Sequence, residues 1–411
     1  MTKRYVVRPE TAVLTRGFDP KLSVGAARPA VFRSSTYVFS SPESAARAFD
    51  IALGRAKPEL NESVDLIYSR LSHPNAEILE DQVVPLELEA KEAAVFNSGM
   101  AAISSTFLTF CPPGSAVVHT TPLYGGTQLF LEAMMVPLGV RFVQADSGDA
   151  KGLTAAIKAT AGLKLVFLET PANPTLRMTD IAAVVAAAKA HPDHPLVVVD
   201  NTFMGPAFQH PLVFGVDLVV YTATKYLNGF SDLLGGFVIA KDRELITHLR
   251  STRAVLGNIL QPDECWLLNT RLPTVSLRMN KQSKNAQRIA ENLHGHAALQ
   301  RVIYPTLFTD PEQVRIRDAQ CDYPGGIVTL ELKGGRPAAF NFLRRLRIAH
   351  NAVSLGGVES LACHPRTTTH SEMSPEQLDH AGISEGMVRL SIGIENWNDL
   401  LADFQGALEG L

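Results

Sequence analysis

From Ala116 the chain alternates short apolar runs with helical stretches, and this alternation restricts its fold more than any other feature. Strands are expected at Ala116–His119, Arg141–Gln144, Leu163–Leu168 and Leu196–Val199, with helices between them, including one at Ile181–Ala190. Two further runs, Leu218–Tyr221 and Gly236–Ala240, continue the series. Buried strands separated by helices predict an α/β chain built on a large, doubly wound, mostly parallel sheet.

The flanks differ. Residues 1–75 carry Pro29, Pro42, Pro58 and Pro74 and a polar stretch from Gly54 to Asp65, without sustained periodicity, and read as an arm rather than a domain. The sheet domain is expected over 76–270, its pattern turning helical from Ala76. A long helical region, Glu244–Leu293, then leads into a smaller C-terminal α/β domain, 271–411. That part holds a strand-like Gly326–Leu332, a helix near Ala338–Leu346, the segment Ser354-Leu355-Gly356-Gly357, and a last strand Val388–Ile392 before a helix. A length of 411 residues suits more than one core.

Hydrophobic residues make up 46% and charged residues 19% of the chain, and no apolar run reaches the ~20 residues that span a bilayer, so no membrane partner is expected. The start, Met1-Thr2-Lys3-Arg4-Tyr5, has no apolar core of a secretory signal, which points to the cytoplasm. A net charge of −3 without a basic tract argues against nucleic acid and leaves small molecules as ligands. Cys111, Cys265, Cys321 and Cys363 lack CxxC spacing and read as reduced thiols; Cys363-His364 with His370 is too sparse for a metal site, and none is expected.

Three polar clusters follow three of the apolar runs: Glu169-Thr170-Pro171-Ala172-Asn173-Pro174, Asp200-Asn201, and Thr222-Ala223-Thr224-Lys225-Tyr226. In an open parallel sheet the carboxyl ends of the strands line the ligand crevice. An amine, a carboxylate and an amide meeting there, with hydroxyls beside the amine, fit a pyridoxal phosphate pocket: Lys225 as Schiff base, Asp200 on the pyridine nitrogen, Thr222 and Thr224 near the phosphate. No GxGxxG follows a strand, so a dinucleotide lacks its phosphate loop.

Phe96-Asn97-Ser98-Gly99-Met100 precedes a helix-forming stretch and offers free N–H groups to an anion at a helix start, although Ser-Gly there is also a common cap. Tyr124, before Gly125-Gly126-Thr127, is placed either to stack on a flat cofactor or to sit in the core. Tyr68 and Arg70 lie in the arm, where they are suited to a phosphate of another subunit or are plain surface residues. Arg389 is the one cation inside the last apolar strand, and its partner is either a substrate carboxylate or a structural Asp or Glu.

Taken with Ser354-Leu355-Gly356-Gly357-Val358-Glu359-Ser360-Leu361 and Arg389-Leu390-Ser391-Ile392-Gly393-Ile394-Glu395, these segments resemble the Cys/Met-metabolism family of pyridoxal phosphate enzymes over nearly the whole chain. The resemblance implies the PLP-dependent transferase fold of type I and a homotetramer, a dimer of dimers with shared active sites. By it, Ser98, Gly99, Met100, Thr222 and Thr224 hold the phosphate region, Tyr124 stacks on the ring, Asp200 keeps the ring nitrogen protonated and Lys225 carries the cofactor. Tyr68 and Arg70 come from the neighbouring subunit, Asn173 meets the ring hydroxyl or the substrate carboxylate, Arg389 with the Ser354 backbone grips that carboxylate, and Val353 borders the substrate.

The activity implied is γ-elimination on a γ-substituted L-amino acid such as methionine, homocysteine, cystathionine or canavanine, with Lys225 as proton shuttle and Tyr124 as acid for the leaving group. The alternatives are γ-replacement, joining an activated homoserine to cysteine or sulfide, and a non-catalytic cofactor-binding regulator. Departures bear on the substrate: Leu71-Ser72-His73-Pro74-Asn75 follows Tyr68-Ser69-Arg70, the arm is lengthened from Gly54 to Leu66, Phe230 replaces the usual histidine, and Gly126 stands where methionine γ-lyases place a reactive cysteine.

Overall fold

The computed structural model describes residues 7–59 and 62–411. Seven strands, β1 (Glu92–Phe96), β2 (Ala116–Thr121), β3 (Arg141–Asp146), β4 (Leu163–Glu169), β5 (Leu196–Asp200), β6 (Leu218–Tyr221) and β7 (Gly236–Ala240), form one sheet in the order β1-β7-β6-β5-β4-β2-β3. Every pairing from β6 through β5, β4 and β2 to β3 is parallel, while β7 runs antiparallel to both of its neighbours.

The continuous apolar runs exist because both faces of this sheet are covered. Val166, Leu168, Val197, Val199 and Val219 pack into one core, and their alternate neighbours Leu165, Phe167, Val198, Leu218 and Val220 pack into the core on the opposite face. A strand whose successive side chains both meet helices has no position at which a polar residue is tolerated until the strand ends. The polar clusters therefore begin where the strands stop, at Glu169, Asp200 and Thr222.

A second sheet contains β8 (Leu299–Ile303), β9 (Ile327–Leu332), β10 (His350–Asn351), β11 (Leu361–Cys363) and β12 (Met387–Ser391) in the order β10-β11-β12-β9-β8, antiparallel except for β10 with β11. Phe342, Phe404 and Leu293, from the helices Gly335–Arg345, Trp397–Leu408 and Val275–Leu293, fill its own core. Thr329 of β9 donates its hydroxyl to the Pro174 carbonyl at 2.7 Å, which ties this sheet to the loop after β4. No described helix is long and apolar enough to cross a membrane.

Three sequence expectations need correction. The stretch read as an irregular arm contains the helices Pro9–Thr15 and Pro42–Ala52, the first burying Val13 in the main core and the second capped by Ser41 and Ser44. Pro at the first helical position of each was the legible signal, joined in the second by the Ser41 cap. The long helical region is three helices, Arg243–Leu256, Pro262–Arg271 and Val275–Leu293, broken where Gly257 turns left-handed at φ 75° and where Pro262 and Pro273 interrupt the ladder. The region from Ala76 is not helical throughout, since β1 lies within it; its Ala-Ala-Val-Phe composition suits either state, and only pairing with β7 makes it a strand.

Candidate active site

Ser98 closes the turn after β1. Its hydroxyl accepts from the Ala101 N–H at 3.0 Å and starts the helix Gly99–Phe110. Neither the Gly99 nor the Met100 N–H has an acceptor among the described residues, so two aligned donors at the positive end of a helix dipole face the crevice. Glycine is required here: a Cβ on Gly99 would stand 2.1 Å from Thr222 Oγ1. Close by, a Cβ on Gly236 would stand 2.3 Å from the Ser98 carbonyl oxygen, so that glycine lets β7 slide in beside the turn.

Thr222, just past β6, donates its N–H to Thr202 Oγ1 at 2.9 Å, and Thr224 Oγ1 accepts from the Gly235 N–H at 3.1 Å. Lys225 follows, with Nζ donating to Ser354 Oγ at 2.8 Å. Burial lowers its amine to about 8, helped by the positive charge of Arg389. The next strand end brings Asp200, 7% exposed, whose Oδ1 accepts from the Thr202 N–H at 3.0 Å. Burial raises its carboxyl above the usual range.

Glu169 ends β4 beside Asp200 in register, and its Oε2 accepts from the Tyr124 N–H at 2.8 Å. Burial, followed by the charge of Asp200, pushes Glu169 up to about 8. Tyr124 stands after β2 with 45% of its surface open to the crevice, and burial of the phenol, then the charges of Glu372 and Glu169, raise its pKa.

Arg389, on β12, reaches across from the small sheet. It donates to Asn173 Oδ1 at 3.1 Å and to the Ser354 carbonyl at 2.7 Å. It is 2% exposed, it forms no ion pair with any described Asp or Glu, and its Nε has no hydrogen-bond partner. A buried guanidinium without a counter-charge is costly. The structural ion pair that the sequence left open is absent among the described residues, and the fork points to an anion that enters the cavity.

These groups enclose one cavity of about 550 Å³, lined by Ser98, Gly99, Met100, Tyr124, Asn173, Asp200, Thr222, Thr224, Lys225, Val353, Ser354 and Arg389 among others. Tyr68 and Arg70 are not in its wall. Arg70 donates to the Ala254 carbonyl and lies 6.0 Å over the Tyr68 ring, and Tyr68 is exposed. The family model described as Cys/Met metabolism PLP-dependent enzyme matches residues 10–409.

The chain belongs to the Cys/Met-metabolism family of PLP-dependent enzymes.

It is similar to the L-methionine γ-lyase of Pseudomonas putida, 38% identical over 401 residues, which is 97% of this chain and 96% of that one. It also resembles the cystathionine β-lyase of Bacillus subtilis, 38% identical over 342 residues, 83% of this chain and 86% of the relative. Among solved structures, the cystathionine γ-synthase of Xanthomonas oryzae pv. oryzae in complex with cystathionine superposes with a TM-score of 0.88 at 35% identity, covering 98% of each chain.

The cavity fits the family's cofactor on its own chemistry. It offers an anion-ready helix start with two unpartnered N–H groups, an amine poised near neutrality, a buried carboxylate for a ring nitrogen, and a phenol ring on an open face. Three members of this Cys/Met-metabolism site escaped sequence reasoning. Glu169 lay inside a quoted segment and Thr202 just beyond one, neither with a role, although ending or following a buried strand was their signal. Glu372 had none, since it reaches the cavity from a loop beyond β11. Of the two histidines, His364 contacts Thr367 Oγ1 and the Glu385 carbonyl, whereas His370 contacts Thr369 Oγ1 through Nδ1 and leaves its buried Nε2 without a hydrogen-bond partner.

Proposed function

We propose that the protein catalyses γ-elimination on a γ-substituted L-amino acid, releasing the γ-substituent and leaving 2-oxobutanoate and ammonia. The observation that carries this reading is Lys225, a buried amine held near neutrality between an anion-seeking arginine on one side and a cofactor-sized gap on the other. Full-length similarity to an L-methionine γ-lyase supports the reaction class.

Gly99, Met100, Thr222 and Thr224 would hold the phosphate, with Ser98 fixing the helix start beside it, Asp200 would pair with the ring nitrogen, Tyr124 would lie against the ring, and Lys225 would anchor the cofactor. When bound, pyridoxal phosphate supplies an electron sink for charge that develops at the substrate's Cα and Cβ. Arg389, oriented by Asn173 and the Ser354 carbonyl, binds the α-carboxylate and so sets Cα against Lys225 Nζ. The Lys225 amine, free once the substrate amine has taken its place, would take the Cα proton, hand it on, and, neutral again, take one from Cβ. The Cγ–heteroatom bond breaks with its electron pair on the heteroatom, which takes a proton from the Tyr124 phenol.

Tyr68 and Arg70, remote from their own cavity, serve the site of a neighbouring subunit in a homotetramer. Four cysteines with no disulfide among them suit a reducing, cytoplasmic setting. The structural similarity to a cystathionine γ-synthase keeps γ-replacement as the second reading.

The test is 2-oxobutanoate release from methionine, homocysteine, cystathionine, canavanine and O-acetylhomoserine, with and without cysteine, using Lys225→Ala as blank. Release without cysteine supports elimination. A thioether formed from O-acetylhomoserine only when cysteine is present would replace it with γ-replacement.

A further inference from the structure

Five charged side chains line the cavity: Glu169, Asp200, Lys225, Glu372 and Arg389. Four have work in the function proposed above or are neutralised. Lys225 and Asp200 meet the cofactor, Arg389 meets the α-carboxylate, and Glu169 is buried against Asp200 and carries its proton near neutral pH. Glu372 is left over. It is exposed at the cavity mouth, and its carboxylate forms no hydrogen bond or ion pair with any described residue.

Its position is fixed rather than accidental. Thr368 Oγ1 donates to the His364 carbonyl at 2.8 Å, Thr369 Oγ1 pairs with His370 Nδ1 at 2.9 Å, and the His370 N–H donates to the Pro365 carbonyl at 3.1 Å. The His370 ring anchors this turn in the interior with no exposure. The turn closes onto the segment that carries Tyr124: a Cβ on Gly125 would stand 2.8 Å from Glu372 Oε2 and 2.8 Å from the Thr369 carbonyl oxygen. Only glycine at 125 admits this approach. Glu372 Oε2 therefore sits against Gly125, next in sequence to Tyr124, the group assigned to the leaving substituent, and its charge is felt at that phenol.

We propose that Glu372 is a specificity-determining residue that selects amino acids whose γ-leaving group carries a cationic nitrogen, a guanidinium or an ammonium, pairing with it at the cavity mouth. The inference rests on the γ-elimination reading and names its substrate class. A guanidinium offers two parallel N–H donors to one carboxylate, the strongest form of such a pair. A methylthio or acetyl group offers none and leaves Glu372 to water.

Canavanine and O-acetylhomoserine separate the contributions, because both lose oxygen from Cγ and only the first carries a cation. The readout is the ratio of their kcat/KM values, from release of the leaving group by the holoenzyme. The ratio is expected to favour canavanine and to fall about tenfold in Glu372→Gln, with a smaller fall in Glu372→Asp, which keeps the charge. Arginine has the length and cation of canavanine with carbon in place of the oxygen and is not eliminated. Its inhibition constant, taken relative to that of norleucine, should rise by the same factor in Glu372→Gln. Ratios within twofold of the wild type in both assays would overturn the proposal and would show that the carboxylate is satisfied elsewhere, as by a basic residue of a second copy. Failure of the wild type to release a leaving group from either substrate would overturn the cationic substrate class and leave γ-elimination to the methionine, homocysteine and cystathionine assays, while the arginine comparison would still show whether Glu372 pairs with a cation.

Discussion

Lys225 Nζ rests 2.8 Å from Ser354 Oγ, and Ser354 holds its hydroxyl there from a left-handed backbone at φ 88°. A non-glycine residue in that region costs about 1 kcal/mol or more. Ser354→Ala keeps the strain and loses the acceptor, whereas Ser354→Gly loses the acceptor and removes the strain. Ser354→Gly is therefore expected to be the more stable of the two by roughly 1 kcal/mol in urea unfolding, with both slower in turnover. The reverse order of stability would show that the backbone there is relaxed.

Glu169 is pushed up to about 8 from an ordinary value of 4.5. A carboxyl whose folded pKa is raised contributes its stability fully below pH ~4.5 and loses it as pH climbs through about 8. Wild-type protein should thus lose stability relative to Glu169→Gln across that window, by an amount on the order of several kcal/mol, and the gap should be complete above it. Urea midpoints of both proteins from pH 5 to 9 measure it. A constant difference across the range would mean that Glu169 ionises normally.

Gly126 lies beneath its neighbour's ring. A Cβ there would stand 2.7 Å from Tyr124 Cε1 and 3.3 Å from Met100 Sδ. Gly126→Ala and Gly126→Cys should both swing the ring off its position and lower kcat by about tenfold, a loss typical of a misplaced catalytic group. Equal effects would assign the loss to the Cβ. A penalty in Gly126→Cys alone would assign it to the thiol.

Arg389 presents a planar fork whose remaining face is free. In Arg389→Lys the charge persists but the two-pronged geometry does not, so KM for the amino acid should rise about 100-fold, with kcat less affected. Steady-state kinetics on the best substrate decides. A rise below threefold would remove the α-carboxylate from this residue.

Much of this was legible because the large sheet is covered on both faces: runs such as Leu165–Leu168 and Val197–Val199 have no polar interruptions, so their ends were visible and with them Asp200 and Thr222. Arg389 stood out as a cation within an apolar strand. What stayed hidden has no local signature. Strand β1 needed β7 as partner, and β8 exposes Gln300 and Arg301 and resembles loop. Glu372 becomes a site residue only because His370 plugs the turn that carries it and Gly125 lacks a side chain.

Arg389 sits on a strand of the small sheet and Lys225 just past a strand of the large one, so a substrate gripped by both, as proposed, would act as a strut between two separately packed layers. Affinity and the mutual docking of those layers are then one thermodynamic quantity seen from two ends. A loosened aromatic pair such as Phe342 and Phe404, deep in the smaller core and clear of the crevice wall, would surface in binding assays as a weak ligand rather than as a weak fold.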